Sequence, residues 1–246
     1  MSFSNDLLVN KKIVITGAGK GIGRACALLA AQCGAYVYAV ARTKSDLDSL
    51  VNLYPNNIEA WEMDINSPSF EERLTALPEL HGLLNNAGLN RVAPMIEQSN
   101  ENIDAVVDMN IRSIYKVTKA ALPSLLKSKN ASIVNMSSQM AFVGSPGRTL
   151  YCMSKHAVEG LTKSLAVELA EQGVRVNSVA PTFVETPMTK PMLNDPEFKK
   201  FVFDMIPMKK LATVEDVANS CIFLLSELAK MTTGTSIKVD GGWTAR

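Results

Sequence analysis

The sequence is poor in the residues that build metal sites and covalent staples. It holds four cysteines, at 26, 33, 152 and 221, and two histidines, His81 and His156. No C-x-x-C pair occurs and neither histidine has ligand neighbours at metal spacing. No metal is therefore expected, and the thiols read as buried and reduced. No Ser/His/acid or Cys/His set suited to hydrolysis stands out; His156, next to Lys155, reads as a packing residue. An excess of one charge is also lacking, with 25 Lys and Arg against 24 Asp and Glu. That balance gives no reason to expect nucleic acid or an anionic membrane surface as a partner. The most apolar stretch, residues 25–41, is interrupted by Gln32, Cys33 and Gly34 and is too short for a bilayer span. The first twelve residues show neither a signal-peptide core nor an Arg-rich transit pattern, so a cytoplasmic setting is the default.

What is present is alternation. Apolar residues make up 47% of 246 positions, enough for a sizeable core. Short apolar runs at 12–16, 35–41, 58–63, 83–85, 132–136, 174–179 and 236–239 read as strands. Helical patterns at 21–33, 45–53, 69–77, 101–126, 151–171 and 214–225 separate them. Parallel strands buried on both faces need such crossovers. The expectation is an α/β single-domain, doubly wound fold with about seven parallel strands. Residues 181–207 break the alternation with five prolines and little regular pattern, and the part at about 182–207 reads as a substrate lid.

Thr16-Gly17-Ala18-Gly19-Lys20-Gly21-Ile22-Gly23 joins the first strand to the first helix. Glycines at 17, 21 and 23 permit a tight turn and close backbone approach to a pyrophosphate, which the helix N-terminus then faces. This strand–turn–helix context marks a dinucleotide site. At the end of the second strand, Arg42-Thr43 offers a cation, and no acid follows until Asp46. A ribose 2′-phosphate wants cations where a free 2′-hydroxyl wants a carboxylate, so Arg42 and Lys20 favour NADP over NAD. Asp64-Ile65 is placed for the adenine edge, and Asn86-Ala87-Gly88 for the floor of the cleft.

Tyr151 and Lys155 are i and i+4 on one helix, so they share a face. A fixed ammonium near a phenol favours phenolate and lowers its proton affinity toward working pH, as general acid–base chemistry requires. Ser138, just past the fifth strand, can hold a carbonyl oxygen beside that phenol. Ser137 is the adjacent alternative, since strand alternation turns only one of the two toward the cleft. Asn110 could anchor a water relayed to Lys155. Gln139 and Arg148 are the polar candidates for substrate contact. Met140, Met153, Met188, Met192 and Met205 fall in segments expected near the cleft and suit varied apolar shapes.

These motifs together resemble the short-chain dehydrogenase/reductase family from about Lys11 to Trp243, with TGAGKGIG at 16–23, NNAG at 85–88 and the closing Asp240-Gly241-Gly242. The resemblance implies a Rossmann fold with strand order 3-2-1-4-5-6-7, hydride transfer at nicotinamide and usually a homotetramer. It implies Tyr151 as acid/base, Ser138 orienting the carbonyl, Lys155 on the ribose and tuning Tyr151, and Asn110 in a proton relay. Pro181, Val184 and Thr186 complete the expected cofactor contacts. Within the family the chain looks most like the L-xylulose (dicarbonyl) reductase and tetrameric carbonyl reductase group, through Ala41-Arg42-Thr43, Ser137-Ser138-Gln139, Ala180-Pro181-Thr182 and Met231-Thr232-Thr233-Gly234. It departs from that group in having Ala41 before the Arg and Ser145-Pro146-Gly147-Arg148 before the Tyr. The expected activity is NADPH-dependent reduction of small carbonyls, with dicarbonyls or ketoses such as L-xylulose as substrates. A 3-oxoacyl thioester reductase, with Lys190, Lys199, Lys200, Lys209 and Lys210 facing an acidic carrier, is the enzymatic alternative. A silent nucleotide-binding scaffold is the non-enzymatic one.

Overall fold

The valine- and isoleucine-rich runs form seven strands in a computed structural model that describes residues 3–245. The elements are β1 (Lys12–Thr16), α1 (Gly21–Gln32), β2 (Tyr36–Ala41), α2 (Lys44–Val51), β3 (Ile58–Glu62), α3 (Pro68–Thr75), β4 (Gly82–Asn85), α4 (Asn100–Val107), α5 (Ser113–Leu125), β5 (Ala131–Met136), α6 (Thr149–Leu169), β6 (Val174–Pro181), α7 (Lys190–Leu193), α8 (Pro196–Met205), α9 (Val214–Leu225) and β7 (Ser236–Val239). The strands make one parallel sheet in the order β3-β2-β1-β4-β5-β6-β7. Alternate side chains of one strand go to opposite faces. Ile13 and Ile15 join Cys26, Leu47 and Cys221 under α1, α2 and α9. Val14 instead joins Phe70, Val117 and Leu165 under α3, α5 and α6. Both faces are therefore covered, which explains why the strands read as near-continuous apolar runs.

A polar ladder crosses the second of these layers. Asn85 and Asn135 are register partners on β4 and β5. Asn85 Nδ2 donates to Asn135 Oδ1 and to Thr118 Oγ1 of α5, both at 3.0 Å, and Asn135 Nδ2 donates to Thr162 Oγ1 of α6 at 2.9 Å. All four residues are buried. Each amide thus replaces the water it lost, and a slip of β5 by one residue would leave them without partners.

Three local expectations are corrected, and the one or two helices expected over 101–126 are made specific. Residues 182–207 contain α7 and the ten-residue α8. Pro196 sits at the first position of α8, where its missing N–H costs nothing, and Asp195 caps the Glu197 N–H at 3.0 Å. The stretch 101–126 is α4 and α5 joined by a π-helical turn, Asp108–Arg112. Strand β6 runs through Pro181, paired with Val239, because the next ladder donor is the Thr182 N–H, 3.1 Å from Val239 O. His156 is exposed rather than packed, its Nδ1 2.8 Å from Cys152 O. Among the described residues no helix is long and apolar enough to cross a membrane.

Candidate active site

The sheet order reverses between β1 and β4, and the crevice outside their carboxyl ends is where open α/β sheets take ligands. Thr16 ties the two strand ends together. Its Oγ1 accepts from the N–H groups of Asn86 and Ala87 at 3.0 and 3.1 Å. Asn86 Nδ2 returns to Thr16 O at 2.9 Å and Gly17 O at 3.2 Å. Gly17 has φ +66°, and a Cβ on Gly23 would lie 2.3 Å from Gly17 O and 2.4 Å from Asn86 Nδ2. Helix α1 begins with no side-chain cap on its free N–H groups. A cradle closed to any Cβ, facing uncapped helix donors, fits a dinucleotide pyrophosphate.

A trough runs away from this cradle in both directions. Toward β2 and β3 it is lined by Arg42, Thr43, Asp64 and Ile65, with Asp46, Met63 and Arg91 beside them. Toward β5 and β6 it is lined by Gly21, Ile22, Gly23, Asn86, Ala87, Gly88, Ser138, Tyr151, Lys155, Pro181, Val184 and Thr186. Gly17 and Lys20 border both halves. Every residue expected around a cofactor therefore lines one or other of two clefts that adjoin at Gly17, Lys20, Ala87 and Gly88. Asp46, which sequence distance seemed to set aside, turns back on the first turn of α2, and its Oδ2 lies 3.2 Å from Lys20 Nζ.

The expected reactive set gathers where the groove meets a further chamber. Tyr151 and Ser138 line both. The Ser138 Oγ accepts from Met140 N at 3.2 Å. Ser137, by contrast, has a buried Oγ with no partner. Lys155 lies on the face of Tyr151, Nζ 5.5 Å from the ring centre, and donates to Met136 O at 2.7 Å. It is 5% exposed. Burial lowers its pKa to about 8, with Glu159 one turn on opposing that shift. Burial also raises the Tyr151 phenol, while the nearby Ser138 hydroxyl and then the Arg148 charge pull it back down. Arg148 is thus a second cation acting on the phenol, beside the Lys155 ammonium on its ring face.

Asn110 sits in the π-helical turn, behind the groove rather than on its wall. Its Nδ2 donates to Leu89 O at 2.9 Å and Ser154 Oγ at 3.0 Å, and its Oδ1 accepts from Leu89 N at 2.9 Å. One amide proton and the Oδ1 hold Leu89 in the chain after β4, and the other proton ties that chain to Ser154 of α6, one residue before Lys155. Gln139 and Arg148 line the chamber, as do Met140, Met188 and Met192. Met153 is exposed and Met205 packs beside Phe183 and Trp243 in the adjacent core, so neither faces the chamber. Asn90, Thr182, Phe183 and Thr189 are chamber residues that sequence reasoning missed. Position just past β4 or β6 was the available signal.

Fold and groove together define a dinucleotide-dependent oxidoreductase of the α/β type. A family model described as enoyl-(acyl carrier protein) reductase matches residues 17–244. A 3-oxoacyl-[acyl-carrier-protein] reductase of Thermotoga maritima is 38% identical over 244 residues, covering 96% of this chain and 98% of that protein. L-xylulose reductase of Bos taurus is 38% identical over 240 residues, covering 97% and 98%. A crystal structure from Beutenbergia cavernae, described as a candidate NAD(P) dependent gluconate 5-dehydrogenase with NADP bound at low occupancy, superposes with TM-score 0.92 at 34% identity, covering 99% of this chain and all of that one. The chain belongs to the short-chain dehydrogenase/reductase family.

Proposed function

We propose that the protein is an NADP(H)-dependent reductase of small, oxygen-rich carbonyl compounds, dicarbonyls or ketoses of the L-xylulose kind. The observation that carries this reading is the half-buried Tyr151, with Lys155 on its ring face, sharing the junction of groove and chamber with Ser138. A nicotinamide dinucleotide in the groove supplies the hydride. Tyr151 donates the proton to the carbonyl oxygen, which Ser138 orients. Lys155 holds the ribose end of the cofactor and favours proton release from the phenol. Pro181, Val184 and Thr186 wall the nicotinamide side, and Asp64 and Ile65 the adenine side. Arg42 and Thr43, with Lys20, favour a 2′-phosphate, and the bound NADP of the Beutenbergia neighbour supports that preference. Residues 182–207 serve as the lid, and the working form is a cytoplasmic homotetramer. Loss of NADPH absorbance with diacetyl or L-xylulose is the assay. Tyr151→Phe is expected to lower kcat by about 10²–10⁴-fold with folding intact. A variant that keeps full activity removes Tyr151 as the donor.

A 3-oxoacyl thioester is the second reading, favoured by the Thermotoga relative. The chamber argues against it. Its cavity volume is only about 50 Å³, too small for a carrier-bound acyl chain, and its wall carries a buried charge. Comparing turnover of an acetoacetyl thioester with that of diacetyl separates the two.

A further inference from the structure

Arg148 is 3% exposed, one of the most deeply buried charged groups of the chain. Its side chain has no carboxylate within 4.0 Å among the described residues. The polar contact it makes is Nη2 to the thioether of Met192, at 3.0 Å, a weak acceptor. Its guanidinium lies 5.5 Å from the ring centre of Phe183 and 5.6 Å from that of Phe198. Two aromatic faces soften the loss of water but do not replace a counter-ion. A guanidinium does not escape burial by giving up its proton, so an isolated one is costly to retain. Arg148 is also the N-cap residue of the 21-residue α6, where the helix dipole adds positive potential and a cation is misplaced for stability. Two sources of positive potential thus converge on the chamber beside Tyr151 with nothing of opposite sign to meet them.

The same wall holds polar atoms that are buried and unpartnered: Asn90 Oδ1, Gln139 Oε1 and Nε2, and Thr182 Oγ1. Native interiors leave few such atoms, and here four sit in one chamber. Gln139 and Thr182 can each both give and accept a hydrogen bond, as hydroxyl groups require.

We infer that the substrate carries a carboxylate, which binds Arg148, and that the chamber takes short oxo acids or hydroxy acids whose other oxygens meet Gln139, Thr182 and Asn90. The inference rests on the reductase reading and narrows its substrate class. In the reducing direction the carbonyl carbon gains a C–H bond from the nicotinamide hydride and its oxygen gains a proton from Tyr151. The nicotinamide is oxidised by two electrons, and solvent restores the phenol. The carboxylate is unchanged. A carboxylate on Arg148 also cancels the charge that draws the Tyr151 phenol toward ionisation, so binding favours the protonated donor that reduction needs.

The experiment pairs three- to six-carbon oxo acids with analogues whose carboxylate is a carboxamide or a hydroxymethyl group. These are assayed with NADPH on wild type, Arg148→Met and Arg148→Lys. In parallel, calorimetry follows hydroxy-acid binding to the NADP-loaded chain. The acids are expected to win in kcat/KM. Arg148→Met is expected to raise KM for the acid by on the order of 10²-fold and to lower the ratio of acid to uncharged partner in kcat/KM by the same order, with Arg148→Lys between; the ratio is the readout, since an effect passed through the Tyr151 phenol touches both substrates. Met matches the length and burial of the site, so a fold failure is not expected, and a thermal midpoint at or above wild type confirms that the variant is intact. Turnover of uncharged carbonyls with no acid binding overturns the inference and leaves the reductase reading standing. Acid binding that vanishes in Arg148→Met, without turnover of any carbonyl, supports the anion site and refutes the reductase. Neither binding nor turnover of acids, or an acid preference untouched by Arg148→Met, also overturns it.

Discussion

Replacing Gly23 by alanine asks for one methyl group where the structure has no room. The added Cβ would stand 2.3 Å from Gly17 O and 2.4 Å from Asn86 Nδ2. The first of these is backbone, so the glycine turn must retreat by about 1 Å to restore ordinary contact. That movement breaks the Asn86 bonds to Thr16 O and Gly17 O, each worth about 1 kcal/mol. Overpacking adds roughly 1–3 kcal/mol, and alanine's better helix propensity returns about 1 kcal/mol. The net loss is about 2–4 kcal/mol, which for a chain of this size lowers Tm by roughly 4–8 °C. Dinucleotide affinity falls further, on the order of 10²-fold, because the displaced turn is the cradle itself. Gly160, exposed on α6 with open space around its Cβ position, supplies the control. The same substitution there is expected to stabilise by about 0.4–1 kcal/mol. Differential scanning calorimetry and cofactor fluorescence titration measure both. If Gly23→Ala melts with wild type and binds the cofactor normally, the steric account of the cradle is wrong.

Three other outcomes are open to measurement, besides the loss expected of Tyr151→Phe. Lys155 has a folded pKa of about 8, below the ordinary 10.5, so the unfolded chain holds that proton where the folded chain releases it. Its contribution to stability therefore rises with pH between about 8 and 10.5, by up to roughly 3 kcal/mol. Lys155→Met lacks this rise, and parallel urea-midpoint profiles for the two proteins across that range would sink the assignment. Asp46→Asn frees Lys20 from its acid partner and removes a negative charge from the ribose end. The NADPH-over-NADH ratio in kcat/KM should rise several-fold, and a fall would show that Asp46 aids the phosphate. Arg148→Met should leave thermal stability equal or higher, as expected when a buried charge without a partner is replaced by an apolar side chain of similar length.

The sheet was legible because each strand is buried on both faces, so hydrophobicity alone traces it. Boundaries moved where hydrogen bonding rather than hydrophobicity sets them, as at Pro181. The groove was legible too, since its wall comes from glycines and strand ends that are short in sequence and fixed by the turn. Helix α8 was hidden because Pro196 looks like a breaker until its place at the first helical position is known. The π-helical turn at Asp108–Arg112 has no periodic signature, so the true bonding of Asn110 was out of reach. Arg148 could be named as polar, but its isolation depends on what Phe183, Phe198 and Met192 bring from the far side of the chamber. Absence of a counter-ion is a property of three dimensions only. The same holds for Asp46, whose return toward Lys20 depends on the angle at which α2 leaves β2.

The ladder of Asn85, Asn135, Thr118 and Thr162 sets a limit on how this chain can vary. Exchange of any single member for an aliphatic residue strands an amide or hydroxyl in a dry layer, whereas exchange of all four together can be nearly neutral. Drift at these positions is therefore expected to be concerted. A library built one substitution at a time would score each of them as intolerant and would miss the viable sequences in which none of the four remains.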